Sequence, residues 1–212
     1  MFLPKGKPIK DYVNLLLFSY LYLMKELKEI VDSIIKISAH SLAAIAELVV
    51  YRNEKKGALF LVKGKPDHCE YFLIKGICRS FLVNPEGEEI TISFFREGSV
   101  LSPYVTRNNK GITNINFQAL TDITLGEMDA GMFEELMISN MEVRIFGNRV
   151  LLKELQQKVE KEINLASLSA KERLHIFRKE YPGFENLVPH PAIATFLGIT
   201  NVSLSRLRAA KA

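Results

Sequence analysis

Apolar and polar positions change period twice along the chain. From about residue 11 to 47 apolar side chains recur at helical spacing, from 49 to about 128 they fall into short alternating β-rich runs, and from 130 the helical period returns. The runs at 58–62, 71–74, 77–83 and 89–95 are separated by Gly64, Lys65 and Pro66, by Lys75 and Gly76, and by Asn84, Pro85, Glu86 and Gly87. Turn residues of this kind join antiparallel strands. Within 89–95, Ile90, Ile92 and Phe94 share one face and Thr91 and Ser93 the other, as when one face lines a core. Eight or so such strands predict a jelly roll or small barrel. If Lys75 and Gly76 form a two-residue hairpin turn, Cys78 faces Leu73 and Cys69 faces Leu82, which makes a disulfide between them improbable. Helical periodicity after residue 130 breaks at 167–169, at 181–183 and at Pro189. The fold class expected is α+β: an N-terminal helical extension over 1–30, an antiparallel β jelly-roll barrel over 31–139, a long helix over 140–164, and a helix-turn-helix module over 165–212.

The long helix carries its own signal. Ile145, Leu152, Leu155, Val159 and Ile163 recur at steps of seven, three, four and four, and so form one apolar stripe, while Glu and Lys cover much of the remaining surface. About 25 residues at about 1.5 Å each would overrun a barrel of this size. The stripe is therefore read as a dimerisation surface, with packing on the chain's own barrel as the alternative.

In the last segment Ala194, Gly198, Leu204 and Leu207 have helix-turn-helix spacing. A small residue at 194 lets two helices cross closely, glycine at 198 suits the positive φ of the turn, and Leu204 and Leu207 anchor the second helix. Thr200 stands at the N-cap position. Asn201, Val202, Ser203, Ser205, Arg206 and Arg208 then fall on the outer side, where Arg and Asn suit guanine and adenine edges, Val a thymine methyl, and Ser a phosphate. Charge agrees with this placement. Residues 165–212 hold seven basic and three acidic side chains, so the surplus equals the whole chain's net +4 and the remainder balances. A polyanion would prefer the C-terminal end, with Lys211 as a further phosphate contact.

Composition removes several classes. A hydrophobic content of 48% with 25% charged residues and a mean hydropathy of +0.07 describes a folded chain rather than a disordered or membrane-embedded one. The apolar run 12–24 is shorter than the roughly 20 residues a spanning helix needs, and no cleavage site follows it, so it is read as a packed helix and the protein as cytoplasmic. Cys69 and Cys78 form no CxxC pair, which leaves no framework for structural zinc or a cluster. His40, His68, His175 and His190 are scattered, with no HxH pair for a metalloenzyme barrel. No enzyme activity, cofactor or metal is expected.

The chain resembles the bacterial Crp/Fnr superfamily of transcription regulators, over roughly residues 31–212. The likeness rests on Tyr71, Phe72, Leu73, Ile74, Lys75 and Gly76, on Gly87, Glu88, Glu89 and Ile90 leading to Phe95, Arg96, Glu97 and Gly98, and on the ending that runs through Ile193, Ala194, Gly198, Thr200, Leu204, Arg206 and Arg208. It implies a cyclic-nucleotide-binding-type barrel, a dimerisation helix and a C-terminal helix-turn-helix, with Asn201, Val202 and Arg206 at the base-reading positions. Members often carry an acidic residue where Val202 stands here. The sequence ends four residues after Arg208, so no β-hairpin wing is expected after the reader. Partners implied are double-stranded DNA, a second copy of the chain, RNA polymerase and an unidentified small-molecule effector. Members that bind cyclic AMP hold its phosphate with a Gly-Glu pair and, about ten residues on, an Arg-Ser or Arg-Thr pair; an ungapped reading from Gly98 puts Ser102 and Pro103, then Thr113 and Asn114, there. Guanidinium and carboxylate are both missing from this degenerate cassette, and Pro103 lacks a backbone donor. Arg107 and Lys110 in the same loop are read as solvated charges, with binding of some other anion as the alternative. Some relatives bind haem, but a lone His68 and Cys69 pair usually has no such role. The alternative function is a small-ligand or cyclic-nucleotide sensor acting through protein contacts alone.

Overall fold

The structure is a computed structural model that describes the backbone of residues 9–102 and 106–210, with side chains described from residue 21 onward. Helices α1 (Ile9–Asp32) and α2 (Ala39–Leu48) precede a barrel of strands β1 (Val50–Glu54), β2 (Leu59–Leu61), β3 (Cys69–Lys75), β4 (Ile77–Val83), β5 (Glu89–Arg96), β6 (Ser99–Leu101), β7 (Asn116–Ala119) and β8 (Ile123–Asp129). Helices α3 (Ala130–Ser139), α4 (Met141–Ser167), α5 (Ala170–Glu180), α6 (Phe184–Leu187), α7 (His190–Phe196) and α8 (Asn201–Ala209) follow. The expected α+β class, antiparallel jelly roll and C-terminal helical module are all present. No helix among the described residues is long and apolar enough to cross a membrane. Most of the apolar run at 12–24 lies outside the residues whose side chains are described.

Two four-stranded antiparallel sheets, ordered β1-β8-β3-β6 and β2-β7-β4-β5, face one another. Leu61, Tyr71, Leu73, Cys78, Leu101, Phe117, Ile123 and Leu125 fill the space between them. The hairpin expected at Lys75 and Gly76 does not form. β3 pairs with β6 and β8, whereas β4 pairs with β5 and β7, so the chain turns a corner from one sheet into the other. Gly76 makes the corner possible: its φ is +92°, and a Cβ there would stand 2.5 Å from the carbonyl oxygen of Asp122. The Ile77 N–H donates to Thr121 Oγ1 at 2.9 Å instead of to a hairpin partner. Cys78 consequently sits opposite Phe95 and Ala119, and Cys69 opposite Asp129; both thiols are free.

A second core forms where α1 to α4 cover the outer face of the β1-β8-β3-β6 sheet. Leu27, Ile30 and Val31 of α1, Ile45 of α2, Phe133 of α3, and Val143, Phe146 and Val150 of α4 close on Phe72 and Ile74. Helix starts are tied together as well as capped. Asn140 caps α4 by accepting from the N–H groups of Glu142 and Val143, and the Glu142 carboxylate accepts from the Ser38 N–H at 3.1 Å and from the hydroxyls of Ser38 and Ser41 at 2.5 Å each. Those hydrogen bonds hold the Glu142 carboxyl below the usual carboxylate range.

The third core joins the barrel to the C-terminal helical module. Ile77, Phe94 and Leu120 enter a cluster otherwise built from Leu174, Phe177, Phe184, Ile193, Leu197, Leu204 and their neighbours. Phe94 meets the rings of Phe177, Tyr181, Phe184 and Phe196 at centroid distances of 5.9, 6.0, 5.8 and 5.1 Å. The sequence reading put Ile90, Ile92 and Phe94 on one face; the structure separates them. A register shift at Ser80 and Phe81 leaves Ile92 without an opposite residue, so Ile92 and Phe95 pack into the barrel while Phe94 faces that module.

Candidate nucleic-acid interface and effector site

The C-terminal module, in which the sequence placed the DNA reader, is built from short helices whose ends are fixed locally. Ser169 and Glu172 form a reciprocal capping box at the start of α5. Ala192, Ile193 and Ala194 of α7 are buried, and Gly198 takes φ +66° in the turn that follows, with Leu165 3.0 Å from where a Cβ would be. Thr200 caps α8, its hydroxyl accepting from the Ser203 N–H at 3.1 Å. Leu204 anchors α8 from below at 1% exposure, whereas Asn201, Val202, Ser205 and Arg206 are exposed and Ser203 is half-buried. One face of α8 thus presents an amide, a β-branched methyl pair, a hydroxyl and a guanidinium.

Arg208 has a different position from the one expected. It is half-buried, its Nε is 3.2 Å from Glu185 Oε1 and its guanidinium 3.1 Å from His190 Nδ1, so it braces α8 against α6 and α7 instead of pointing freely outward. Glu185 also takes two hydrogen bonds from Arg178, at 2.6 and 3.1 Å, and these pairings lower its carboxyl's affinity for protons. Lys211 lies outside the described residues.

The loop between β6 and β7, where the sequence placed the degenerate cassette, departs from expectation. Arg107, read there as a solvated charge, is buried to 7% side-chain exposure between Asp67 and Glu70, which are 9% and 8% exposed. Its guanidinium donates to Asp67 at 2.7 Å, to the carbonyl oxygen of Cys69 at 2.9 Å, and to Glu70. The Tyr71 hydroxyl completes the group by donating to the second Asp67 oxygen at 2.6 Å. A guanidinium and two carboxylates are therefore present near the expected cassette, but they are spent on each other. Burial pushes the Glu70 carboxyl up to about 7, against the opposing influence of Ser102 and Arg107. Of the expected cassette residues, Ser102 stands beside Glu70 as a hydrogen-bonding neighbour, and buried Thr113 turns its hydroxyl onto the carbonyl oxygen of Ile115 at 3.1 Å. Asn114 is exposed, and Pro103 lies outside the described residues. Asp67 and Glu70 are 40 and 37 residues from Arg107. No local motif links them, so only the strand order could have found the group. Among the described residues no set of three His, Cys, Asp or Glu side chains is arranged to hold a metal ion.

On α4 the two sides differ sharply. Val143, Phe146 and Val150 are buried against the barrel helices, whereas Ile145, Leu152, Leu155, Val159 and Ile163 are 39, 53, 60, 45 and 56% exposed. The stripe that the alternative reading would have packed on the chain's own barrel is thus uncovered within one copy.

Comparisons with known proteins bear on all three regions. Residues 51–140 match the cyclic nucleotide-binding domain model. No curated protein matches the sequence at significant similarity. Among solved structures, FixK2 from Bradyrhizobium japonicum superposes with a TM-score of 0.66 at 17% identity, covering 76% of this chain and 83% of that one. The c-di-GMP responsive global regulator CLP of Xanthomonas campestris gives 0.64 at 14% identity over 80% and 89% of the two chains. A transcriptional regulator of the Crp/Fnr family from Eubacterium rectale gives 0.63 at 17% identity over 81% and 82%. With helices on either side of the barrel that the domain model matches, and the likeness to these structures running beyond it, the chain shares the overall fold of the three solved proteins.

Proposed function

We propose that this protein is a DNA-binding transcription regulator that acts as a two-fold homodimer. The observation that carries the proposal is α8, whose buried side is fixed by Leu204 and whose outer side offers Asn201, Val202, Ser205 and Arg206 at the end of the chain that holds the positive surplus. A helix so presented fits the major groove, where those side chain types meet base edges and methyl groups. The uncovered stripe of α4 supports self-association, because an isologous contact would bury both copies at once. Two readers related by such an axis select a near-palindromic site with half-sites about 10 base pairs apart.

Cyclic AMP is not the effector in this reading. Its phosphate would have to displace Asp67 and Glu70 from Arg107, leaving two buried carboxylates without their countercharge, which is costly where water is excluded. Selection of sites from a random duplex library, followed by retardation assays across a salt series, tests the function. A palindromic motif bound with steep salt dependence is expected. Absence of any selected motif, with binding indifferent to salt, would replace this reading by that of a sensor working through protein contacts.

A further inference from the structure

Helix α4 sends two lysines into the cleft between barrel and reader. Lys158 and Lys161 are three residues apart and share a helix face. Both are half-buried. The Lys158 ammonium donates to Ser93 Oγ at 2.6 Å and that of Lys161 to the carbonyl oxygen of Ile92 at 2.7 Å, both on β5. Within the described residues neither is ion-paired with a carboxylate, although Glu154 lies one turn before Lys158 and influences it at longer range. Burial lowers the proton affinity of both, and the Lys158 charge adds to the effect on Lys161, whose ammonium comes down to about 8.

The surroundings have the shape of a site. The cleft has a volume of about 780 Å³, is open to solvent on one side, and is walled by α1, β5, β6, α4 and the helices α5 and α7, with Glu154 and Glu180 among its lining groups beside Arg96, Arg173 and the two lysines. Its aromatic side includes Phe196, whose ring centre is 4.0 Å from the Lys161 nitrogen, and Tyr181. Two ammonium groups are drawn partly out of water, with direct hydrogen bonds only to neutral oxygens, Glu154 acting on Lys158 at longer range and the Phe196 ring against Lys161, and a doubly charged anion between them would return part of the stability that this costs. A single carboxylate would balance only one of them. A phosphate monoester carries about −1.5 to −2 charge near neutral pH and three acceptor oxygens, and lysine serves well as a point-charge partner for it.

We propose that Lys158 and Lys161 bind the phosphate of a small phosphate monoester whose planar or apolar body lies against Phe196, at a site separate from the Arg107 loop. The site touches the barrel strand, the long helix and the reader at once, so its ligand would bridge the two halves of the chain. Binding itself does not depend on the DNA-reading proposal.

Titration calorimetry of the full chain with adenosine 5′-monophosphate is the test, with inorganic phosphate as competitor. Saturable binding is expected, displaced by inorganic phosphate only at higher concentration, and weakened at least tenfold in K158M/K161M. The ligand-free double variant should melt at or above the temperature of the parent, since methionine keeps the apolar stem and removes the charge. If the double variant does not fold, K158Q and K161Q are measured singly, each expected to weaken binding. Failure of adenosine 5′-monophosphate to bind at millimolar concentration would overturn the proposal. So would binding unchanged in any folded variant, or a lowered melting temperature, which would make the lysines structural ties to β5.

Discussion

Arg107 and Glu70 meet across 37 residues of sequence, and the pair sets a pH dependence. The Glu70 carboxyl is raised from 4.5 to about 7, chiefly by burial. Because the folded state holds this proton more tightly than the unfolded chain does, its contribution to stability is complete below about pH 4.5 and is lost as pH rises through about 7. Urea midpoints across that window should therefore fall more steeply with pH in the parent than in Glu70→Gln. Equal slopes would show that the carboxylate does not change its protonation there. At the reader, Arg206→Ala should reduce discrimination at one base position by about 1–3 kcal/mol while sparing the fold, because Arg206 is exposed. Arg208→Ala should behave differently. Its contacts with Glu185 and His190 lie inside the reader, so the expected loss is about 0.5–1.5 kcal/mol of stability, read as a lower melting temperature, with the selected motif intact.

At the scale of elements, α4 separates two tasks by helix face, and each face can be changed alone. Leu152→Asp with Leu155→Asp alters two residues that are 53 and 60% exposed, so sedimentation should show a dimer for the parent and a folded monomer for the variant. A monomeric parent at micromolar concentration would remove α4 as the interface. The stripe was legible in the sequence because helical periodicity is local, and the same holds for the strand runs and for the N-cap at Thr200. What was hidden depends on contacts between distant segments. Nothing at Lys75 and Gly76 distinguishes a hairpin from a corner between sheets; the difference lies in Asp122 and Thr121, which approach Gly76 from beyond 40 residues away and leave no room for a side chain. The shift opposite Ser80 and Phe81 likewise reverses the face of Phe94 without any mark in its own strand. Arg107 looked like a loop charge for the same reason, since burial of a charged side chain is decided by partners that only the fold supplies.

For the whole molecule, the decisive contact is Phe94 in the aromatic cluster of the reader, helped by the Thr91 N–H donating to Thr195 Oγ1 at 3.1 Å. A shared core makes barrel and reader a single cooperative unit, so calorimetry of the parent should show one unfolding transition. Phe94→Ala should cost about 3–5 kcal/mol and split that transition in two, the reader melting first. One unchanged transition in the variant would mean that the ring contributes little to the union.

If the protein reads paired half-sites as proposed, the same attachment would act as a ruler. A reader fastened to its barrel cannot swivel to follow a half-site that has moved, and adding one base pair to the spacer both lengthens it and rotates the second half-site by about 36°, at about 10 base pairs per turn. The parent should accordingly tolerate one spacer length and reject its neighbours, while Phe94→Ala, with its reader on a slack tether, should bind the preferred length more weakly and grade the neighbouring lengths less severely.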